Sequence, residues 1–246
     1  MKALIVTVAG TSTRFGESIG KPCLKCIYNR NGIQESLLYK MLHRDKSFDK
    51  LVIVGGYKFD ELENAVKNYF ADISDKIVLL YNDKFVEYGS GYSLYFGLKY
   101  VVENGYDEVV FAEGDLFVDD KSFDAVSAAN ADVVTYTKEP IESRRSVAFY
   151  YDVNDRAHYL YDTTHNTLEI REPFLSVYDS GQVWKFNNGK RIKDTFYDLT
   201  ANDWHGTNLV FIQRYFGGMR KDDYRLIRFE TWINCNTVHD FDKTKE

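Results

Sequence analysis

Cysteine, proline and long apolar runs are all scarce in this chain, and each scarcity removes a class of protein. Three cysteines in 246 residues make no disulfide framework, so the expected compartment is the cytoplasm. No apolar run approaches the roughly 18 residues of a membrane span. The first apolar stretch, Ala3 to Ala9, breaks at once into polar residues and reads as a strand rather than a signal peptide. With three prolines, no internal repeat and no low-complexity tract, nothing marks a linker. One compact unit over residues 1–246 is expected, a length that buries one good-sized core.

Cationic charge is also short. The net charge of −6 argues against a nucleic-acid or membrane partner, since both need a basic face. It is unevenly spread: residues 1–50 hold nine Lys/Arg against four Asp/Glu, a local +5 that leaves −11 for the rest. A positive N-terminal segment in an acidic chain fits a local anion site. Cys23-Leu24-Lys25-Cys26 has redox or half-zinc spacing, with Cys235 as a third thiol, but no second paired motif stands among the five scattered histidines. A structural zinc needs four ligands, so buried or half-buried free thiols are expected.

Short apolar runs alternate with segments of helical period through the first half. Leu4–Val8, Leu51–Val54, Ile77–Tyr81, Val109–Ala112 and Val133–Tyr136 read as strands, and Gln34–His43, Asp60–Phe70, Tyr92–Val102 and Ser122–Ala129 as helices. That alternation predicts an α/β fold, a mainly parallel sheet flanked by helices, with ligands gathering at the carboxyl ends of the strands. From about 143 to 193 the pattern changes to short aromatic and β-branched runs, Val147–Tyr151, His158–Tyr161, Phe174–Tyr178 and Val183–Phe186, with turns such as Asn187-Asn188-Gly189. This segment is expected to be a β-rich insertion. Thr207–Phe216 and Thr237–Phe241 read as helical and Arg225–Phe229 as a strand.

The first strand runs into Ala9-Gly10-Thr11-Ser12-Thr13-Arg14-Phe15-Gly16, and Gly20-Lys21-Pro22-Cys23-Leu24 follows. Small side chains let backbone N–H groups converge on phosphate oxygens, arginine offers a planar fork, and lysine a point charge. There is no Gly-Lys-Ser/Thr ending and no three-glycine dinucleotide pattern. The order resembles the signature of the sugar-phosphate nucleotidyltransferases, Ala-Gly-x-Gly-Ser/Thr-Arg and then Pro-Lys-x-Leu. Ser12 stands where the family has its second glycine, and Pro22 follows the lysine instead of preceding it. Three more stretches extend the resemblance: Val54-Gly55-Gly56-Tyr57-Lys58, Tyr92-Ser93-Leu94-Tyr95, and Trp232-Ile233-Asn234-Cys235-Asn236-Thr237. With Glu113-Gly114-Asp115 at a strand end, the motifs occur in the family's order between residues 3 and 241.

The resemblance implies a Rossmann-like mixed sheet, with the β-rich insertion at about 143–193 on the acceptor side, and a role for each motif. Ala9, Gly10, Thr11, Ser12, Thr13, Arg14 and Lys21 would hold a nucleoside triphosphate, with Arg14 and Lys21 as its catalytic cations, and Ser93 would lie near the base or ribose. Asp115 would bind Mg²⁺, the implied cofactor. Family members place further carboxylate ligands where this chain has Asn234 and Asn236; an amide oxygen can coordinate Mg²⁺ but brings no charge, so the cation is held more weakly unless Glu230 or a water-bridged carboxylate compensates. In the subfamily that uses CTP to activate phosphocholine and related head groups, two asparagines and an aliphatic residue precede the serine. Here Gly89-Ser90-Gly91 stands in their place.

The implied activity is transfer of a nucleotidyl group, CTP being the favoured donor, to a small phosphorylated acceptor with release of pyrophosphate. Such an acceptor is already anionic, so the absence of histidine from these motifs, His239 excepted, is no obstacle. A phosphocholine-like acceptor would suit an aromatic cage, for which Tyr178, Trp184 and Trp204 are nominees; a phosphonate or a sugar or polyol phosphate are the other acceptors considered. Two rivals stand beside this reading: a nucleotide-binding protein without turnover, and a glycosyltransferase of the same broad fold, for which Glu113-Gly114-Asp115 is a distant substitute for Asp-x-Asp. A homodimer is left open.

Overall fold

The computed structural model describes residues 1–161 and 167–245. Its elements are, in chain order, β1 (Lys2–Val8), α1 (Thr13–Ile19), α2 (Leu37–His43), β2 (Lys50–Gly55), α3 (Phe59–Tyr69), β3 (Ile77–Tyr81), α4 (Ser90–Glu103), β4 (Glu108–Glu113), β5 (Leu116–Val118) and α5 (Asp120–Ala128). They continue with β6 (Val133–Tyr136), β7 (Ala148–Asp152), β8 (Ala157–Tyr159), β9 (Phe174–Phe186), α6 (Gly189–Asp198), α7 (Ala201–Trp204), α8 (Leu209–Phe216), β10 (Arg225–Arg228), β11 (Trp232–Asn234) and α9 (Val238–Lys243).

Among the described residues one nine-stranded sheet has the order β10-β6-β9-β4-β1-β2-β3, with β7 and β8 added beside β9. β1 is parallel to β2 and β4, β2 to β3, and β6 to β10. Only β9, wedged between β4 and β6, runs antiparallel to its central neighbours. The sheet is therefore mixed and mainly parallel, as the alternation of runs predicts. Its central strands are apolar on both faces because helices cover both. Ala3, Ile5, Val52, Val54, Val109, Phe111, Trp184 and Phe186 pack under α4, α6 and α8. Leu4, Val6, Leu51, Ile53, Val110 and Ala112 pack under α2, α3 and α5.

The strands expected in the first half appear within a residue or two of their sequence bounds. The helix expected over Gln34–His43 is divided. Ser36 accepts a hydrogen bond from Tyr39 N–H with its own side chain, which starts α2 at Leu37 and leaves a 3₁₀ turn before it. The larger differences fall in the segment 143–193, of which residues 162–166 lie outside the described residues. Phe174–Tyr178 and Val183–Phe186 are the two ends of a single 13-residue strand, β9. It bends near Ser180, where its register against β6 shifts and Gln182 takes φ 55. The second half of β9 thus belongs to the central sheet, and only its first half joins β7 and β8 as an outlying ribbon. Asn187-Asn188-Gly189 joins no strands: Asn188 accepts from Arg191 N–H and opens α6.

The chain's last helix returns to its first. Val238 N–H donates to Ser18 Oγ at 2.9 Å, and Phe15, Phe241 and Tyr28 meet edge to face. α9 thereby braces α1, the helix that carries Arg14. No helix among the described residues is long and apolar enough to cross a membrane.

Candidate active site

β1 lies inside the sheet between β4 and β2, fully buried over Ala3–Val6, so the loop at its carboxyl end has a fixed origin. Tyr57 N–H, from the turn after β2, donates to Ala9 O at 3.1 Å, and Gly16 N–H returns to Ser12 O at 2.8 Å. Ser12 sits at φ 55, in the left-handed region. The resembling motif has glycine there, and a side-chain-bearing residue in that conformation costs about 1–2 kcal/mol. The Ser12 hydroxyl lies 3.4 Å from Lys25 N–H and 3.5 Å from Gly10 O, and the Thr11 and Thr13 hydroxyls meet at 2.9 Å. Arg14 Nη2 donates to Asn236 Oδ1 at 2.8 Å, and Asn236 Nδ2 donates to Asn234 Oδ1 at 2.9 Å.

The second part of the site comes from β4. Gly114 N–H donates to Thr7 O at 3.0 Å, and a Cβ on this residue would lie 2.2 Å from Val8 Cγ1 and 2.9 Å from Thr7 O. Only glycine lets β4 press this closely on β1. The result is that Asp115 emerges beside the loop 9–14. Its Oδ2 accepts from Lys25 Nζ at 2.7 Å, its backbone oxygen accepts from Cys235 N–H at 2.8 Å, and its Oδ1 is buried with no hydrogen-bond partner. Glu113 accepts from Asn208 Nδ2 at 2.7 Å. Burial first, and the Asp115 carboxylate second, push the Glu113 carboxyl well above the ordinary range, against the pull of Asn208 and Lys25.

A raised carboxyl pKa in the folded state weakens the fold as pH rises through and above the ordinary glutamate range, because the ionised form is the one that burial penalises. Glu113→Gln keeps an oxygen for Asn208 and removes the charge. The variant is expected to melt above the parent at about pH 8, with the gap closing toward about pH 4. Melting curves at both pH values test this; a gap independent of pH would reject the assignment.

The third wall follows β3. Ser93, buried at the first turn of α4, accepts from Asn82 Nδ2 at 3.0 Å, and Asn208 N–H donates to Ser90 Oγ at 3.1 Å. The departure at Gly89-Ser90-Gly91 has a steric reason, because a Cβ on Gly89 would come within 2.3 Å of Gly206 O. That segment needs glycine to lie against residues 205–207. Tyr88 stacks on His205 with ring centres 3.8 Å apart.

These three walls enclose a single cavity of about 450 Å³. Ala9, Gly10, Thr11, Ser12, Thr13, Arg14, Ser93, Asp115 and Asn236 all line it. The sequence-predicted phosphate loop, base-side serine and acid therefore share one space. Lys21 is exposed, Asn234 is half-buried, and neither lines the cavity. Glu230 is exposed and paired with Arg228 at 2.6 Å. Lys25, Glu113, Phe85, Tyr88 and Ser90 line the cavity without having been singled out as site residues. Lys25 sits inside the cysteine pair that reads as a redox or zinc motif, and Glu113 beside the acid at the strand end, so position relative to Asp115 was the available signal.

The cage nominees lie elsewhere. Trp184 is fully buried, stacked on Phe111, Trp204 is buried against Phe196, and Tyr178 packs on Phe149; none lines the cavity. They fill the hydrophobic core between the sheet and its helices. All three thiols are free, Cys26 and Cys235 buried and Cys23 half-buried, and burial pushes the two buried ones up to about 12. Among the described residues no three of His, Cys, Asp and Glu cluster as a metal site.

With the geometry in place, the chain can be set beside known proteins. No curated protein matches it by sequence. Its fold is similar to the inositol-1-phosphate CTP transferase from T. maritima, at 15% identity and a TM-score of 0.67 over 100% of this chain and 97% of that one. It is likewise similar to the CTP:phosphocholine cytidylyltransferase LicC from Streptococcus pneumoniae, at 15% and 0.60 over 98% and 96%. HddC from Yersinia pseudotuberculosis, solved with GMP-PN, matches at 16% and 0.61 over 99% and 98%. The shared architecture is the nucleotide-diphospho-sugar transferase fold. By sequence, the model of the family described as a domain of unknown function, DUF6564, matches residues 21–246, and the chain belongs to that family.

Proposed function

We propose that this chain is a Mg²⁺-dependent nucleotidyltransferase, cytidylyltransferase-like, that couples an NTP, CTP first among them, to a small phosphorylated acceptor and releases pyrophosphate. The observation that carries the reading is the common cavity: the loop 9–14 and Asp115 face the same space. The acceptor's phosphate oxygen attacks the α-phosphorus, the new O–P bond forms, and the bond to the β-phosphate oxygen breaks with pyrophosphate leaving. Positioning and charge neutralisation are the main demands of such a step. The loop amides and Arg14 hold the phosphates, and Ser93 with its Asn82 partner shapes the base side. The lysine role implied for Lys21 is better served by Lys25, whose ammonium already stands in the cavity.

The donors present suit a hard cation: Asp115 Oδ1 is a buried carboxylate oxygen without a partner, and Asn236 brings an amide oxygen to the same cavity. Mg²⁺ is ordinarily held by one or two carboxylates together with substrate phosphates, so Asp115 would hold it, with Asn236 as an auxiliary. When bound, it would neutralise charge on the phosphates.

A second reading, nucleotide binding without turnover, is favoured by Asn234 and Asn236 standing where carboxylates are usual. One experiment separates the two. Pyrophosphate release is measured over the four NTPs with Mg²⁺ and a panel of choline, phosphonate, sugar and polyol phosphates, beside melting shifts with each NTP. The expected result is release with CTP and one acceptor class; a melting shift with an NTP but no release over the panel would leave the binding protein.

A further inference from the structure

The oxygens best suited to a divalent cation in this cavity are already engaged, and by the two side chains best suited to a triphosphate. Lys25 Nζ stands 2.7 Å from Asp115 Oδ2, with both side chains largely covered, at 17% and 20% exposure. Arg14 Nη2 stands 2.8 Å from Asn236 Oδ1. The Asn236 amide is turned so that its oxygen meets the guanidinium, because its Nδ2 is spent on Asn234 Oδ1. A divalent cation approaching either oxygen meets a fixed positive charge first.

Both capping charges ride on long side chains that can turn from one partner to another. Lys25 is rooted at the phosphate loop, its N–H 3.4 Å from Ser12 Oγ, and its ammonium rides on a flexible four-carbon stem. Arg14 is the second residue of α1, at the end of the same loop. A triphosphate held there offers each cation several anionic oxygens, against one carboxylate oxygen for Lys25 and a neutral amide for Arg14. Bidentate phosphate is also the better match for a guanidinium fork. The exchange frees Asp115 Oδ2, beside the buried Oδ1 that has no partner to begin with, and returns Asn236 Oδ1 to the cavity.

Resting on the nucleotide reading above, we infer that Lys25 and Arg14 are placeholders: they cap Asp115 and Asn236 in the free protein, keep a divalent cation out, and move to an incoming triphosphate, so that cation and nucleotide bind only together. Lys25 is on this account a positioning residue for the metal ligand as well as a phosphate contact. By linkage the coupling is reciprocal, each ligand strengthening the other by the same factor.

The test uses Mn²⁺ alone as probe, its free concentration read by electron paramagnetic resonance, on the parent, Lys25→Met and Lys25→Arg. Uncapping is expected to raise Mn²⁺ affinity about tenfold or more in Lys25→Met, within the usual span of coupling factors, while Lys25→Arg stays with the parent. Equal Mn²⁺ affinity in parent and Lys25→Met overturns the inference. Should Lys25→Met not fold, water-proton relaxation on the parent serves instead: enhancement by Mn²⁺ is expected only once inorganic tripolyphosphate is added, and enhancement by Mn²⁺ alone overturns the inference. The two readings fail separately. A parent that binds no NTP under any condition refutes the nucleotidyltransferase and the exchange onto triphosphate, and a gain of Mn²⁺ in Lys25→Met then keeps only the cap on Asp115; CTP turnover with unchanged Mn²⁺ affinity refutes the inference alone.

Discussion

Asp115→Asn is expected to lower pyrophosphate release by about 10²–10³-fold, the cost of removing one preorganised electrostatic partner from an active site, with little change in melting temperature. The substitution is nearly isosteric and spares the backbone oxygen that accepts from Cys235 N–H. It removes the charge that Lys25 holds and that helps to push the Glu113 carboxyl up. The two stability effects oppose each other: Lys25 loses its ion partner, and Glu113 loses a repulsive neighbour. Because the Lys25 head opens onto the cavity, it can be solvated there instead of being stranded. The informative comparison is kcat against melting temperature in the same preparation, beside Lys21→Ala and Lys25→Ala. Lys25→Ala is expected to lose most turnover and Lys21→Ala little, since only the former side chain lines the cavity. Parent-level activity in Asp115→Asn would remove the acid from the mechanism.

The placement of the loop 9–14 and of the acid at strand ends was legible in sequence because both are local: a buried apolar strand, small residues at its end, and a glycine before a carboxylate need no knowledge of distant contacts. Pairing the two in one cavity follows from β1 and β4 being parallel neighbours; the alternation of strands and helices implies the parallel sense, but the adjacency comes from the structure. Lys25 was not legible as the cavity's lysine. Motif spacing favours Lys21, but the 3₁₀ turn over Lys25–Ile27 brings the later lysine under Asp115, and a turn of that kind leaves no periodic trace. The aromatic nominees failed for the opposite reason. Tyr178 and Trp184 share β9, yet the bend near Ser180 and the antiparallel insertion between β4 and β6 put Trp184 under the helices. A strand buried on both faces and an exposed binding face look alike in a short aromatic run. Similarly, Asn187-Asn188-Gly189 carries the residues of both a hairpin turn and a helix cap, and only the tertiary context selects the cap.

Gly114→Ala tests the link between the fold and the site most severely. The added Cβ has no free direction: Val8 Cγ1 lies 2.2 Å from its ideal position and Thr7 O 2.9 Å, with Val6 Cγ1 next at 3.2 Å. Val8 and Val6 are buried on the central strand, and their β-branched side chains have little rotamer freedom with which to yield. Relief therefore requires β4's end to withdraw from β1, which stretches the Gly114 N–H to Thr7 O bond and carries Asp115 away from the phosphate loop. Overpacking of this kind costs about 1–3 kcal/mol, and in a chain of this length each kcal/mol lowers the melting temperature by roughly 2–4 °C. Activity is expected to suffer more than stability, since a displacement of about 1 Å in a positioned group can cost 10²-fold. An alanine variant that melts with the parent and keeps its nucleotide affinity would mean that the site tolerates a retreat of Asp115, and the close apposition of β4 and β1 would then be a packing detail with no bearing on phosphate binding.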